Sequence, residues 1–402
     1  MPADVAAPFP WLSAVAVVLL AVQVPMVAVL LSRLVQGPFR RPPLTPEPPS
    51  LEQLGTVSVV VPTLNEAHRL RPCLEGLTHQ SYEMREALIV DSRSTDGTQA
   101  VVQDYQADDP RLRLLEDDPL PQSWVGRPWA LDYGFRHTAA ASTWVLGIDA
   151  DTQPQPGLVA ALAKAMATDG YDLVSLAPRF ILKYPGEFWL QPALLMTLVY
   201  RFGPAGSPSG VPQRVMANGQ CFMVRRSLLE QLNGYQSASA SFCDDVTLAR
   251  YAAAQGAKVG FWDGSRLIKV RMYEGMAETW REWGRSLDLK DAASTAQVWW
   301  DFAFLALVQG LPWVLVPGLW LAQQGALADW SRPLLLLWAI NLGLLVIRVG
   351  MQAAVASAYD LKGAPGAWAF WLSPLADPVA VVRIGLSSLR RPTQWRGRQY
   401  ST

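Results

Sequence analysis

Three long apolar stretches bracket a polar block, and no other feature of this 402-residue chain restricts its fold as much. The first, Trp11 to Leu34, is interrupted only by Ser13, Gln23, Pro25, Ser32 and Arg33 and can cross a hydrocarbon layer of roughly 30 Å. Its start carries Asp4 and no Lys or Arg, so it reads as a retained anchor rather than a cleaved signal peptide. Arg33, Arg40 and Arg41 follow it, which by the positive-inside rule assigns the next segment to the cytoplasm. Two further stretches, Trp299 to Ala322 and Pro333 to Tyr359, flank a loop with Gln323, Gln324, Asp329 and Arg332 and predict a hairpin of membrane helices. A fourth, Gly366 to Leu389, is broken by Ser373-Pro374, Asp377-Pro378 and Arg383 and is followed by Arg390, Arg391, Arg396 and Arg398. Crossing would leave those arginines outside, so a re-entrant or interfacial segment is expected.

The polar block of about 260 residues has the size of one nucleotide-binding α/β domain, entered through an extended Pro-rich linker, Pro38 to Pro49. The formal net charge is zero, so no nucleic-acid partner is implied. Cys73, Cys221 and Cys243 are unclustered, and His68, His79 and His137 lack metal-ligand spacing; no disulfide framework or zinc site is supported, and a reducing compartment is expected.

Within the block, Thr56 to Val61 is a β-branched strand stopped by Pro62, and Thr63-Leu64-Asn65-Glu66 leads into a helix marked by Leu70, Leu74 and Leu77. Ala87 to Val90 is a second strand ending in Asp91-Ser92-Arg93-Ser94-Thr95-Asp96-Gly97-Thr98, Leu112 to Leu115 a third, and Val145 to Ile148 a fourth ending in Asp149-Ala150-Asp151. Strands alternating with helices predict a doubly wound, mostly parallel sheet, and such sheets bind ligands beyond the strands' C-terminal ends. Two carboxylates two residues apart can share a divalent cation that holds a diphosphate, although a strand-to-loop turn uses the same residues. Arg127 can meet a phosphate bidentately or lie as a surface arginine beside its loop. Asn218-Gly219-Gln220 precedes the strand-like Cys221 to Val224. Asp244-Asp245 at a helix start serves either the macrodipole or a proton abstraction.

The set Val57 to Glu66, Asp91 to Thr98, Gly126 to Leu131, Asp149-Ala150-Asp151 and Cys243-Asp244-Asp245 resembles, in order and spacing, the motifs of family 2 inverting glycosyltransferases, over about Val57 to Arg250. The resemblance implies a GT-A fold, α/β, cytoplasmic and flanked by transmembrane helices. It implies that Pro62, Asn65 and Glu66 line the nucleotide pocket with Gly219 and Gln220. Asp91 would contact the base, and Arg127 would neutralise phosphate where many relatives have Lys. Asp149 and Asp151 would face the ribose, the diphosphate and a Mg²⁺ or Mn²⁺ ion. Asp245 would be the base, with Asp244 replacing the family's Glu and leaving open which acid does the work. The expected division is 1–36 anchor, 37–55 linker, 56–275 GT-A catalytic domain, 276–298 amphipathic interfacial helix, 299–359 membrane hairpin and 360–402 re-entrant or interfacial segment with a basic tail.

Phe188 to Tyr200 is too short to span and suits lying in the membrane surface, while Met276, Trp280, Trp283 and Leu287 fall on one helical face. Trp280, Trp283 and Arg285 are therefore candidates for an acceptor or membrane interface. Glu282-Trp283-Gly284-Arg285-Ser286 departs at both ends from the Q-x-x-R-W motif of processive polysaccharide synthases. The layout, with the closing Arg391 to Tyr400, resembles ceramide-glucosyltransferase-like, hopanoid-associated and bacterial carotenoid enzymes. That implies transfer of a single hexose, UDP-glucose being the default donor, to a membrane-embedded acceptor. A hydroxylated carotenoid ranks first, then a glycerolipid, ceramide-like or hopanoid alcohol. The rival classes are a polysaccharide synthase, a nucleotidyl transferase, whose Gly-rich basic signature is missing at Pro62-Thr63-Leu64-Asn65, and a non-catalytic membrane scaffold.

Overall fold

In the computed structural model, which describes residues 10–208, 210–283, 287, 289–323, 330–389, 394–395 and 398–399, the β-branched run becomes β1 (Val57–Thr63). It continues through Pro62 to Thr63, where only β2 is paired, since the register with β4 stops at Val60 and leaves that side without a ladder for Pro62 to break. β2 (Met84–Asp91), β3 (Leu112–Glu116), β4 (Trp144–Ile148), β6 (Leu173–Ala177), β8 (Cys221–Arg225) and β9 (Val259–Asp263) complete a seven-stranded sheet in the order β3-β2-β1-β4-β8-β6-β9. Neighbours are parallel except β8, which runs antiparallel to β4 and β6. A second, four-stranded sheet joins β5 (Thr152–Pro154), β7 (Arg179–Ile181), β10 (Ile268–Val270) and β11 (Tyr359–Asp360).

Apolar residues cover both faces of the large sheet, as parallel strands require. On one side Leu74 and Leu77 of α2 (Arg71–Thr78) and Leu162 of α5 (Leu158–Asp169) meet Val59, Ile89 and Leu146. On the other, Leu131 and Phe135 of α4 (Gly126–His137) and Val246 of α8 (Asp244–Ala254) meet Val60, Leu88 and Val145. A third cluster fuses α6 (Pro185–Phe202) to the membrane-proximal helices through Phe188, Leu194, Phe304, Leu344, Phe370 and Ile384.

Among the described residues, three helical stretches are long and apolar enough to cross a membrane: Trp11–Phe39, Arg332–Ala358 and Ala367–Leu389. The expected single span from Trp299 to Ala322 is instead a pair, Thr295–Gly310 and Pro312–Ala322, bent by 46°. The turn Ala306–Gly310 is π-wound ahead of Pro312, which lacks an amide donor and whose ring crowds the preceding turn.

Other expectations are corrected. The Phe188–Tyr200 stretch is the core of α6, with Phe188, Leu190, Leu194, Met196 and Tyr200 buried. The continuous helix expected over 276–298 is a short α-turn, Gly275–Glu278, running into a π-turn, Thr279–Trp283. Of its apolar stripe Trp283 and Leu287 are buried, Trp280 is partly buried and Met276 is exposed. The boundary expected between 359 and 360 falls inside β11, where Tyr359 pairs with Phe180 and Asp360 with Ile181 of the catalytic domain. Arg285, Asp329 and most of the Arg391 to Tyr400 tail lie outside the described residues.

Candidate active site

Register places the acids. Parallel β2, β1 and β4 deliver Asp91, the Thr63–Glu66 turn and Asp149 to one edge of the sheet. Antiparallel β8 brings Asn218-Gly219-Gln220 beside them from the opposite direction, its Cys221 facing Ile148. The Gln220 carbonyl accepts from the Asp149 amide at 3.4 Å and from Thr152 Oγ1 at 3.1 Å, stitching the Asp149-Ala150-Asp151 turn to that segment.

Arg127, at the start of α4, is the hub of this edge. Its Nε donates to Asp149 Oδ1 at 2.9 Å, one terminal nitrogen donates to Asp244 Oδ2, and the other to the Gly219 carbonyl at 2.8 Å. A Cβ on Gly219 would lie 2.3 Å from that second nitrogen, so only glycine lets the guanidinium in. Asp245 holds a different set: Oδ2 accepts from the Gly219 amide at 2.6 Å and Oδ1 from the Val246 amide at 2.9 Å. Burial, and then the neighbouring Asp244 charge, push the Asp245 carboxyl up to about 7 against the pull of Arg127. Burial also raises Asp244, again opposed by Arg127. Burial works against the charge of Arg127, but Asp149, Asp244 and Asp245 together outweigh it and hold the guanidinium charged.

A cavity of about 1110 Å³ opens on this edge, lined by Pro62, Glu66, Arg127, Asp149, Asp151, Gly219, Gln220, Asp244 and Asp245. It thus gathers most of the residues singled out from sequence. Three of the described ones, Asp91, Asn65 and Trp280, are not on its wall. Asp91 is fully buried, and its carboxylate accepts from Thr63 Oγ1 (3.2 Å), the Ser94 amide (2.9 Å), Ser94 Oγ (2.5 Å) and Gln99 Nε2 (2.8 Å), which organises the loop after β2. Asn65, at φ 56°, accepts from the Thr95 amide at 2.9 Å and braces the same loop. Arg127, expected to meet phosphate, directs its donors here at two acids and a carbonyl. Trp283 lines the cavity, whereas Trp280 packs under the Arg383 guanidinium, 5.5 Å from its ring centroid.

The sequence reading missed the other half of the wall. Leu195, Leu198, Val199 and Phe202 of α6 and Met351, Ala354, Val355 and Ala358 at the end of the Arg332–Val355 helix each follow i, i+3, i+4, i+7 spacing and face the same space. The spacing is legible in both runs. What it faces is not, because a stripe inside an otherwise apolar helix does not announce its partner.

A mostly parallel sheet with acids converging at its ligand-binding edge defines a GT-A architecture. The mannosyltransferase PcManGT from Pyrobaculum calidifontis, solved in complex with GDP-Man and Mn²⁺, shares the fold at a TM-score of 0.50 and 20% identity, over 94% of this chain and 99% of that one. Residues 58–232 match the model of glycosyl transferase family 2, and the chain carries a domain of that family. The chain is 23% identical over 248 residues to the 4,4'-diaponeurosporenoate glycosyltransferase of Staphylococcus haemolyticus, covering 61% of this chain and 64% of that protein. It is 33% identical over 133 residues to an N-acetylglucosaminyltransferase of Mesorhizobium japonicum, covering 32% and 30%. The chain therefore spans less than two thirds of either curated relative.

Proposed function

We propose that the chain is a membrane-bound inverting glycosyltransferase that moves one hexose from a nucleotide sugar, UDP-glucose in the first instance, to a hydroxyl of a membrane-embedded lipid, a hydroxylated carotenoid ranking first. The observation that carries this reading is a single cavity with Asp149, Asp151, Asp244 and Asp245 at one end and the apolar stripes of α6 and the Arg332–Val355 helix at the other. A sugar nucleotide suits the first end and a lipid tail the second. The Staphylococcus relative is named for a carotenoid carboxylate, which favours a carotenoid acceptor without fixing its reacting group.

Asp244 is hydrogen-bonded to Arg127, so the base role falls to Asp245, whose carboxylate accepts from the Gly219 and Val246 amides. It takes the proton of the acceptor hydroxyl as that oxygen attacks the anomeric carbon opposite the leaving diphosphate, and inversion follows. Asp149 and Asp151 fit a hard cation. No group of three His, Cys, Asp or Glu side chains suited to a metal occurs among the described residues, so Mg²⁺ or Mn²⁺ would share its shell with the substrate phosphates. Such an ion supplies charge neutralisation on the leaving oxygens.

The catalytic domain sits, in this reading, on the cytoplasmic face, and the Ala367–Leu389 stretch lies along the interface without crossing. Supporting this, both of its ends meet the catalytic side. Gly366 packs on the Tyr184-Pro185 backbone, Arg383 Nε donates to the Trp280 carbonyl at 2.6 Å, and the Ser387 carbonyl accepts from Lys290. Trp368, Trp371, Leu372 and Leu375 form one exposed face suited to lipid.

The test is to incubate membranes containing the protein with labelled nucleotide sugars and extracted lipids, beside an Asp245→Asn variant. Label should enter the lipid phase only with the unmodified protein. Undiminished transfer by the variant removes Asp245 from the base role, and label confined to water-soluble products overturns the lipid acceptor.

A further inference from the structure

We infer that Arg33, Arg214 and Arg250 form a binding site for the phosphate of an anionic membrane phospholipid, at the place where the first span meets the catalytic domain. This rests on the membrane-bound reading above and is independent of the acceptor. Three distant segments meet the last turn of α6 there. Arg33, at the C-terminal end of the first span, donates from Nη1 to the Tyr200 carbonyl at 2.8 Å, and its guanidinium carbon lies 4.7 Å from the Phe304 ring centroid. Arg214 and Arg250 set their guanidinium carbons 5.9 and 5.7 Å from the ring centroid of Phe202. Arg33 is within electrostatic reach of both Arg214 and Asp301.

The cluster is short of negative charge. Among the described residues one carboxylate, Asp301, forms an ion pair with any of the three, at 2.9 Å from Arg214 Nη1. The C-terminal end of α6 adds about half a negative charge. Three guanidiniums thus face about one and a half negative charges, in a partly buried setting where their mutual repulsion is poorly screened. The shortfall shows at Arg250. Its Nε and Nη1 donate to the Val215 and Ala292 carbonyls at 3.0 and 2.6 Å, while Nη2 is buried with no hydrogen-bond partner. Capping of helix and loop carbonyls accounts for the bonds that Arg33 and Arg250 make, but neither for the excess charge nor for the unused donor.

Position selects a lipid as the source of the phosphate. Asp301 directly follows Trp299 and Trp300, both exposed, near the start of the Thr295–Gly310 half-span, and tryptophans favour the headgroup level of a bilayer. Gln297 Nε2 donates to the Gln213 carbonyl at 3.2 Å, which ties this helix end to the turn carrying the partly exposed Arg214. Guanidinium forks match phosphate oxygens bidentately. A phosphate seated on Arg33 and Arg214 neutralises the excess and supplies an acceptor for Arg250 Nη2. A zwitterionic headgroup brings its own ammonium and cancels most of that gain, so a net-anionic lipid is preferred.

The experiment is native mass spectrometry of the full chain in a non-ionic detergent, titrated with phosphatidylglycerol or phosphatidylcholine of matched acyl chains, with inorganic phosphate as competitor. At about fivefold per net charge, phosphatidylglycerol should bind on the order of tenfold tighter than phosphatidylcholine. Arg33→Gln should cut that ratio about fivefold, and Asp301→Asn, which removes the counter-charge, should raise it about fivefold. A purely structural role for the cluster predicts no such rise, and Asp301→Asn keeps the test decisive where Arg33→Gln fails to fold. Equal binding of the two lipids, or a ratio that Asp301→Asn leaves unchanged or lowers, overturns the site. Displacement of phosphatidylglycerol by an equal concentration of inorganic phosphate overturns the lipid as its occupant. Release of the chain from membranes by an alkaline carbonate wash overturns the membrane-bound reading itself, whereas retention there with equal lipid binding sinks the site alone.

Discussion

Replacing Arg127 by methionine tests the electrostatic core of the site, because it removes the guanidinium and keeps most of the side-chain stem. In the folded protein Arg127 is 14% exposed and Asp244 5%, so this is a buried pair, and deleting one partner of such a pair typically costs about 3–5 kcal/mol. The Asp149 arm adds less, since that carboxylate is 28% exposed and water screens it. The cost has a definite pH dependence. Arg127 pulls the carboxyls of Asp244 and Asp245 down against burial, so removing it raises both further. A carboxyl whose folded pKa lies above its unfolded value destabilises the fold at pH above the folded pKa and ceases to do so once it is protonated. The gap between the two proteins should therefore be largest near pH 8 and close as pH falls below about 7, where Asp245 already holds its proton in the unmodified chain. Taking about 3 kcal/mol and 2–4 °C per kcal/mol for a domain of this size, the melting temperature should drop by about 6–12 °C at pH 8 and by much less at pH 5. Thermal unfolding followed by tryptophan fluorescence in detergent reads this directly. A gap that is constant across pH, or wider in acid, refutes the pairing argument.

Three further outcomes follow from the same geometry. With Asp245 as base, kcat/KM should fall tenfold per pH unit below about 7, and Asp245→Asn should lose about 10²–10⁴ in rate and abolish that limb; an unchanged acid limb in the variant assigns it to another group. Chelation with EDTA should stop transfer, and Asp151→Ala should weaken nucleotide-sugar binding by calorimetry, whereas unchanged affinity would count against the cation site. Tyr359→Ala, which empties a buried site between Phe180 and Phe370, should cost about 3–5 kcal/mol in stability and raise KM for the lipid acceptor more than for the donor; an equal rise in both would show that the pin acts on the whole fold.

How much was legible depended on how local the signal was. Strands β1 to β4 and the acids after them announce themselves through short runs that sequence alone can read: Val57 to Val61, Ala87 to Val90, Val145 to Ile148. β6 and β9 did not, because Leu-Val-Ser-Leu-Ala and Val-Gly-Phe-Trp-Asp are five-residue stretches whose pairing partners lie far along the chain. The choice of partners for Arg127 was hidden for the same reason, since Gly219 and Asp244 are 92 and 117 residues away. Asp91 and Asn65 show the limit of a local signal. Their positions at a strand end and a turn were read correctly, but four donors converge on one and the other spends its oxygen on Thr95, which no motif records. The helical face read through Trp283 and Leu287 does not hold as one face, since the winding turns to π at Thr279–Trp283, and periodicity does not say which side is solvent.

The second sheet explains why the two halves of the cavity can work together. β11 is only two residues long, yet it runs parallel to β7 immediately after the Arg332–Val355 helix, with Tyr359 opposite Phe180 and Asp360 opposite Ile181. Arg179 adds an ion pair to Asp360 at 3.8 Å, and Tyr359, buried, packs against Phe180 and Phe370 at centroid distances of 5.5 and 5.3 Å. The stripe Met351 to Ala358 ends one residue before this pin, so its distance from the sheet is set by backbone pairing rather than by lipid. β7 in turn follows β6, whose neighbour β8 carries Gly219 and Gln220 into the acid cluster. A short covalent and hydrogen-bonded path therefore connects the apolar wall to the carboxylates, and an acceptor tail held by the one fixes where its head meets the other. A catalytic domain merely tethered to a membrane by flexible linkers would bring lipid and donor near each other without that register.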